Sequence, residues 1–406
     1  MKLIPIMRNI LMAVLLLAGY GLSNAQQPAD SLEEKISAMD GKLNALDERV
    51  AVNESDLGKL TKIKVSGYIQ AQFESYQGGL IAKPNDPANT FFVRRARIKF
   101  TYEAADGIRF VLQPDFSTGN LSLKDAYAVA YLPKLKSLAL WAGQFNRPNY
   151  EVEYSSSQRE VLERSRMIRT IYPGEREVGA KLEFNPLSVP LKMQLALLNG
   201  NFIRGTELID VDSRKDVMAR AVYSFKLPAA GIGIDVGAHG YVGGLMAKTK
   251  YISDYENQMD SLDSNVGSYL DKKWGGTEIQ VYFDLLGGMA LKGEYIAGRN
   301  AYPGDSKSNP YKTKEFSGYY AYLIKNIGKK NQFVARYDAF DPNTRLSADA
   351  AGKDVYYHTL TLAWQYYLND NLRFSINYAM PKNETNATYP EDIADNAFGI
   401  RMQAKF

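Results

Sequence analysis

The sequence predicts an all-β fold: a 16-stranded antiparallel transmembrane β-barrel with a short N-terminal periplasmic coiled-coil helix. Three observations predict it. From Lys62 onward, apolar and polar residues alternate with a period of two, the mark of strands whose two faces meet unlike media. The connections between these strands alternate short and long. The last strand, "AFGIRMQAKF", runs to the final residue, with Phe398, Ile400, Met402, Ala404 and Phe406 apolar and Gly399, Arg401, Gln403 and Lys405 between them.

Composition narrows the chemistry. Tyr is the commonest aromatic, 28 against 17 Phe and 3 Trp, and 32 Gly accompany it, which suits strands better than helices. A net charge of +4 is too mild to imply nucleic acid. The absence of Cys excludes disulfides, thiolate metal sites and Cys nucleophiles. Only His239 and His358 could serve histidine chemistry, and neither has a Ser context that suggests a triad. The expectation is a protein that is not an enzyme, with no cofactor and no metal. The acidic segment 243–273 carries Asp254, Glu256, Asp260, Asp263 and Asp271, but their spacing fits no EF-hand. A solvated loop is expected there.

Residues 1–25 read as a secretory signal. Lys2 and Arg8 precede an apolar core at 10–18, and Ser23-Asn24-Ala25 supplies small residues before a cut at Gln26. No other stretch reaches roughly 18 apolar residues, so any membrane crossing must be made by strands.

Residues 26–61 read as a periplasmic coiled coil for oligomerisation. Leu32, Ile36, Met39, Leu43, Leu46, Val50, Asn53, Leu57 and Leu60 follow one another by steps of four and three, with Asn53 the one polar seam position. A lone amphipathic helix docked on a core is the other reading of this stripe.

Residues 62–406 form the expected barrel. About sixteen segments alternate, each near the roughly 9–11 residues that a tilted strand needs to cross a bilayer. Connections after even-numbered strands are short: "AADG", "PKLKS", "NPLSVP", "KLPAAG", "LLGG", "NIGKKN" and "LNDN". Those after odd-numbered strands are long except at 117–121, so the long loops gather at one end, as in outer-membrane barrels. A propeller would repeat a blade motif, and none is found. A ring this wide cannot be filled by side chains, so its interior is expected to be wet and its apolar faces to meet lipid. A closed ring also requires the last strand to pair with the first.

The strand "FFVRRARIKFTYE" is the richest on the wet face. Its alternation turns Phe92, Ala96, Ile98, Phe100 and Tyr102 to lipid, with Arg94 beside them near the external rim. Arg95, Arg97, Lys99 and Glu103 then face the lumen. Cations at every second residue, about 6.6–7 Å apart, form a ladder on which an anion can step between weak sites. Guanidinium suits phosphate and carboxylate because it offers paired donors and keeps its proton. The same register brings in Arg109, Lys181, Lys192, Arg220, Lys292, Arg336, Arg373, Arg401 and Lys405. It also brings in Asp115, Asp125, Glu177, Glu183, Asp235, Glu278, Asp284, Glu294 and Asp338. An anion path and an ordinary mixed-charge pore both remain open. Segment 146–175, with Arg159, Arg164, Arg166 and Arg169, either folds into the barrel and narrows it or caps it from outside.

"FFVRRARIKFTYE", "LQPDF", "LKDAYAVAYLP", "LWAGQFNRPNYEVEYSSS" and "LERS", in this order, resemble the phosphate-selective porin O and P family across residues 62–406. The resemblance implies a trimeric sixteen-stranded outer-membrane channel whose third external loop folds inward. It implies passive diffusion of small hydrophilic solutes, anions such as phosphate among them, past Arg95, Arg97 and Lys99. The final Phe406 resembles the signal read by the barrel-assembly machinery. Outer-membrane lipid, a homotrimer and permeating anions are the expected partners. The alternative is a structural protein that tethers the envelope through its coiled coil and conducts without selectivity.

Overall fold

The computed structural model describes residues 61–406, except 78–88, 118–120, 133–134, 149–150, 201–209, 211 and 285–286. Before residue 61 it describes positions 37, 39, 41–43, 45–50, 52 and 58. The chain divides into two units, Met1–Thr61 and Lys62–Phe406. The expected signal segment, 1–25, lies outside the described residues. In the first unit the described positions are helical, and the seam residues Met39, Leu43, Leu46 and Val50 are all exposed on a single chain. Leu32, Ile36, Asn53, Leu57 and Leu60 lie outside the described residues.

In the second unit the strands are β1 (Ile63–Tyr76), β2 (Asn89–Ala105), β3 (Ile108–Asp115), β4 (Ser122–Leu132), β5 (Leu135–Asn146), β6 (Arg176–Phe184), β7 (Leu191–Leu198) and β8 (Asp216–Leu227). They continue as β9 (Ile232–Met246), β10 (Tyr269–Phe283), β11 (Met289–Tyr302), β12 (Tyr311–Ile327), β13 (Asn331–Asp341), β14 (Tyr357–Tyr367), β15 (Leu372–Asn383) and β16 (Ala397–Lys405). The sheet holds eighteen strands among the described residues. Two of them, Ile252–Ser253 and Met259–Asp260, are short pieces within the β9–β10 connection. Each of the other sixteen pairs antiparallel with the next, and β16 returns to β1 from Tyr68↔Lys405 to Tyr76↔Ala397. The ring is closed, so no barrel strand presents a bare edge.

Alternation sets the two faces. On β15, Phe374 and Tyr378 are exposed outside, and Arg373, Ser375 and Asn377 are buried inside. On β7, Met193, Leu195 and Leu197 form the outer row. Tight turns such as 328–330, where Gly328 takes φ 61°, join strands at one end. Long connections gather at the other end, and only 116–121 is short there.

Two expectations need correction. Gln70 pairs with Arg95, but Ala71 pairs with Val93, so Arg94 is the extra residue of a β-bulge. The bulge turns Arg94 into the lumen rather than to lipid. It also shifts the residues before it: Phe91 and Val93 take the outer face, and Phe92 stands across from the buried Gln72. Residues directly opposite share a face, so Phe92 points inward. The second correction concerns the wet interior. Segment 147–175 folds into the bore with two short helices, α1 (Glu151–Tyr154) and α2 (Arg166–Ile171). Met167, Ile168 and Ile171 of α2 belong to one buried cluster with Tyr241, Trp274, Phe316 and Phe340 of the barrel wall. Part of the lumen is therefore packed dry. Burial of these side chains is what holds the loop against the wall.

Candidate lumenal constriction

The pose of segment 147–175 follows from a few residues. Ser165 caps α2, accepting from the Ile168 amide at 3.4 Å. Its own amide and hydroxyl donate to the Glu153 carboxylate at 2.8 and 2.9 Å, tying α1 to α2. Glu153, fully buried, also accepts from Arg336 at 3.1 Å and from the Tyr322 hydroxyl at 2.5 Å. One carboxylate thus joins both loop helices to the wall formed by β12 and β13. Opposite, the Tyr172 hydroxyl accepts from Trp274 Nε1 at 2.8 Å, and Tyr241 stacks on Trp274 with centroids 4.1 Å apart.

The expected ladder faces the lumen, but its rungs differ. Arg95 is buried and donates to Gln70 at 2.8 Å. Arg97 is neutralised by Asp115 at 2.7 Å and donates to Tyr68 and to Ser156 of the loop, both at 3.0 Å. The Lys99 side chain makes no hydrogen bond or ion pair among the described residues. Arg109 lies at the tight-turn end and pairs with Glu103 at 2.7 Å, away from the loop. Arg220 is bridged to Glu278. Arg336 is held by Glu153, by Asp338 at 3.1 Å and by the Glu163 carbonyl at 2.7 Å. Arg373 donates to the Ser157 carbonyl at 3.2 Å and to Gln403 at 3.1 Å.

The loop arginines separate in the same way. Arg164 pairs with Glu175 and donates to the Glu153 carbonyl at 3.1 Å. Arg166 lies 3.7 Å over the Tyr357 ring and 3.8 Å from Asp395. Arg169, in the last turn of α2, lines the vestibule at the long-loop end. Arg159 is the exception: it is 3 % exposed, and none of its three guanidinium nitrogens makes a hydrogen bond among the described residues.

Arg94, Arg95, Arg159, Arg164 and Arg401 gather around Glu163 and Glu175. Arg94 grips Glu163 through two hydrogen bonds, 2.9 and 3.0 Å, and Arg401 reaches it at 3.2 Å. Burial works against the Glu163 charge, yet Arg94, with Arg159 and Arg95, holds its carboxyl well below the usual range. Glu175 is half-buried and is held well below that range by Arg164, Arg176 and Arg97. Burial, with Arg164 adding to it, pushes Arg159 down to about 10, so it stays charged at neutral pH. Arginines thus crowd the neck of the bore, with Glu74 and Glu153 also acting on them.

The loop separates cavities at the two ends. The vestibule at the long-loop end measures about 550 Å³ and presents Arg164, Arg166, Arg169, Tyr357 and Tyr389. At the tight-turn end, cavities of about 400 and 160 Å³ are lined by Glu160, Asp235 and Lys292 and by Arg373, Gln403 and Lys405.

Sequence reasoning missed Arg94, Glu153 and Ser156. A signal existed for Arg94: two consecutive arginines interrupt the alternation. None existed for Glu153, whose partners lie far along the chain. In the acidic loop, the Asp254 carboxylate accepts from the amides of Glu256 and Gln258, Asp263 takes Lys250 at 3.1 Å, and Asp271 sits on β10. Among the described residues these carboxylates do not converge.

A family model, Phosphate-selective porin O and P, matches residues 63–406. Several solved structures share the fold. OprB of Pseudomonas putida superposes with a TM-score of 0.60 at 11 % identity, over 87 % of this chain and 96 % of its own. The anion-selective porin of Comamonas acidovorans gives 0.54 at 11 %, over 85 % and 99 %. The trimer form of OmpT from Vibrio cholerae gives 0.53 at 10 %, also over 85 % and 99 %. At these identities the likeness is one of fold. No curated protein sequence matches the chain.

Proposed function

Because the chain belongs to the phosphate-selective porin O and P family, and so forms an outer-membrane channel and not an enzyme, we propose that it passes small hydrophilic anions, phosphate among them, by passive diffusion. The path runs along Arg95, Arg97, Lys99, Arg109, Arg220, Arg336 and Arg373 of the wall. Arg159, Arg164, Arg166 and Arg169 of the inward loop narrow it. The carrying observation is Arg159, a buried cation whose guanidinium has no hydrogen-bond partner among the described residues, beside Arg95, Arg164 and Arg401. Glu163, Glu175 and Glu153 offset this charge through space, but its buried donors still lack an acceptor, which is costly, and an entering oxyanion supplies one. The family description and the Comamonas porin's name, which says anion-selective, support this reading.

In the same reading, residues 1–25 are removed on export. Residues 26–61 join three copies in the periplasm through their exposed apolar seam, and Phe406 is read by the barrel-assembly machinery. The trimer form of OmpT supports the subunit number.

Reversal potential across a planar bilayer under a salt gradient tests the proposal, with phosphate added as a blocker. Anion preference and phosphate block are expected for the intact protein, both weakened in Arg159→Ala. Absence of current, or cation preference at neutral pH, overturns it.

A further inference from the structure

A second group of ligating side chains stands on the lumenal face beside Arg220, which is paired with His239 in register and bridged to Glu278. His239 lies on β9, Glu278 on β10 and Glu294 on β11. Register brings them together: His239 is opposite Gly276, Gly237 is opposite Glu278, and Glu278 is opposite Glu294. Two carboxylates paired in this way share a face and repel. Glycines open the space between the three strands. A Cβ on Gly276 would stand 2.5 Å from Cε1 and 2.6 Å from Nε2 of His239, and one on Gly237 would stand 2.8 Å from Cγ of Glu278.

All three side chains are buried, His239 at 6 %, Glu278 at 4 % and Glu294 at 3 % exposure. One ligand atom from each can be chosen so that all lie within 4.8 Å of one another. Their bonding is incomplete. Among the described residues, neither ring nitrogen of His239 makes a hydrogen bond, and neither does Glu294 Oε1. His239 Nδ1 and Glu294 Oε1 are 3.7 Å apart, too far for a hydrogen bond between them. A buried imidazole in that state is uncommon and calls for an explanation. The other contacts orient the group: Glu294 Oε2 accepts from the Tyr320 hydroxyl at 2.5 Å, and Glu278 is fixed by Arg220. Each carboxylate keeps lone pairs for a further partner.

We propose that His239, Glu278 and Glu294 bind a divalent transition-metal cation of the zinc class. One imidazole nitrogen and two carboxylate oxygens supply three ligands and leave a position for water. Zinc bonds of about 2.0–2.2 Å draw the three side chains closer than they stand without the ion. The mixed donor set favours zinc-like ions over calcium and magnesium, which take oxygen ligands. The ion offsets the repulsion between the paired carboxylates and joins three neighbouring strands. A cavity at the tight-turn end comes close to the group along two strands. Gln280 and Lys292, each two residues along from a ligand on the same face, line the cavity of about 400 Å³ together with the acidic Glu160 and Asp235.

The test uses the folded full-length chain in detergent, stripped with a chelator and titrated with Co²⁺ by visible absorption and Zn²⁺ by calorimetry. About one equivalent per chain is expected, with d–d bands typical of a low-symmetry site. Glu294→Gln and His239→Asn should each lose at least about tenfold in affinity, and His358→Asn should lose none. Heat-dependent gel mobility reports whether each variant is folded. Should neither ligand variant fold, the intact protein decides: Co²⁺ bands displaced by Zn²⁺ support the site, and their absence overturns it. Unchanged affinity in the folded ligand variants, or equal loss in His358→Asn, also overturns it. The readout is metal stoichiometry, so it stands or falls separately from anion conductance.

Discussion

Arg94 and Glu163 meet side-on through two hydrogen bonds of 2.9 and 3.0 Å, which fasten the second barrel strand to the inward loop. The contact exists only because the bulge opposite Gln70 and Ala71 turns Arg94 away from lipid. Cysteine labelling checks this, and the chain has no Cys to give background. Arg94→Cys should react with a charged, water-soluble thiol reagent that enters the lumen. Phe91→Cys, which is 82 % exposed on the outer face, should react with a lipid-soluble one. The reverse pattern would restore an unbroken alternation through the strand.

Glu153 is the loop's main anchor, so Glu153→Ala should release it. Ser165 and Tyr322 lose their acceptor, and Arg336 loses one of its partners. Breaking a buried ion pair by removing one partner costs about 3–5 kcal/mol. Single-channel recordings should show higher and noisier conductance, with a lower unfolding temperature in detergent. Conductance identical to the parent would mean that the apolar contacts of α2 suffice alone.

The two loop carboxylates set a pH window. Glu163 and Glu175 have depressed folded values, so their stabilisation is complete above the ordinary unfolded value of about 4.3 and is lost as pH falls through the folded values. Loop anchoring should be insensitive between about pH 5 and 8 and weaken only in stronger acid. Trp274 fluorescence, which senses Tyr172 of the loop, should follow this course; a transition near pH 6 would contradict it. At the alkaline end, Arg159 is lowered to about 10, so the phosphate block it supports should fade as pH rises through that value.

Gly67 stands at the seam. A Cβ there would lie 2.5 Å from the Arg97 carbonyl oxygen and 2.6 Å from the Phe406 ring. The backbones of Gly67 and Phe406 exchange two hydrogen bonds of 3.0 Å each. Gly67→Val should therefore hinder closure, seen as loss of the heat-resistant compact band on gels. Gly328→Ala, in an open turn, should keep that band and cost only about 1 kcal/mol.

Much of this architecture was legible because barrel strands are written locally. A period of two in Leu372–Asn383 or Ala397–Lys405 needs no partner to be seen, and the alternating connection lengths fix which end carries the loops. The lumenal direction of Arg95, Arg97, Arg220, Arg336 and Arg373 follows from the same parity. Parity fails where one residue is inserted, as at Arg94 and again at Ala104 and Lys124. The loop's pose was not legible, because Glu153 and Arg336 are separated by 183 positions and nothing local links them. The His239 group was hidden for a related reason: its members lie on three strands, and only their mutual register brings them together.

The inward loop touches β1 through Ser156 and Tyr68, and β10 through Tyr172 and Trp274. These strands stand nearly opposite each other around the ring. A hoop of sixteen strands is easily flattened, and a crossbeam fixed at opposite points resists that deformation. Lateral squeezing by the surrounding bilayer is thereby transmitted to the beam, so the neck of the bore and the roundness of the wall change together.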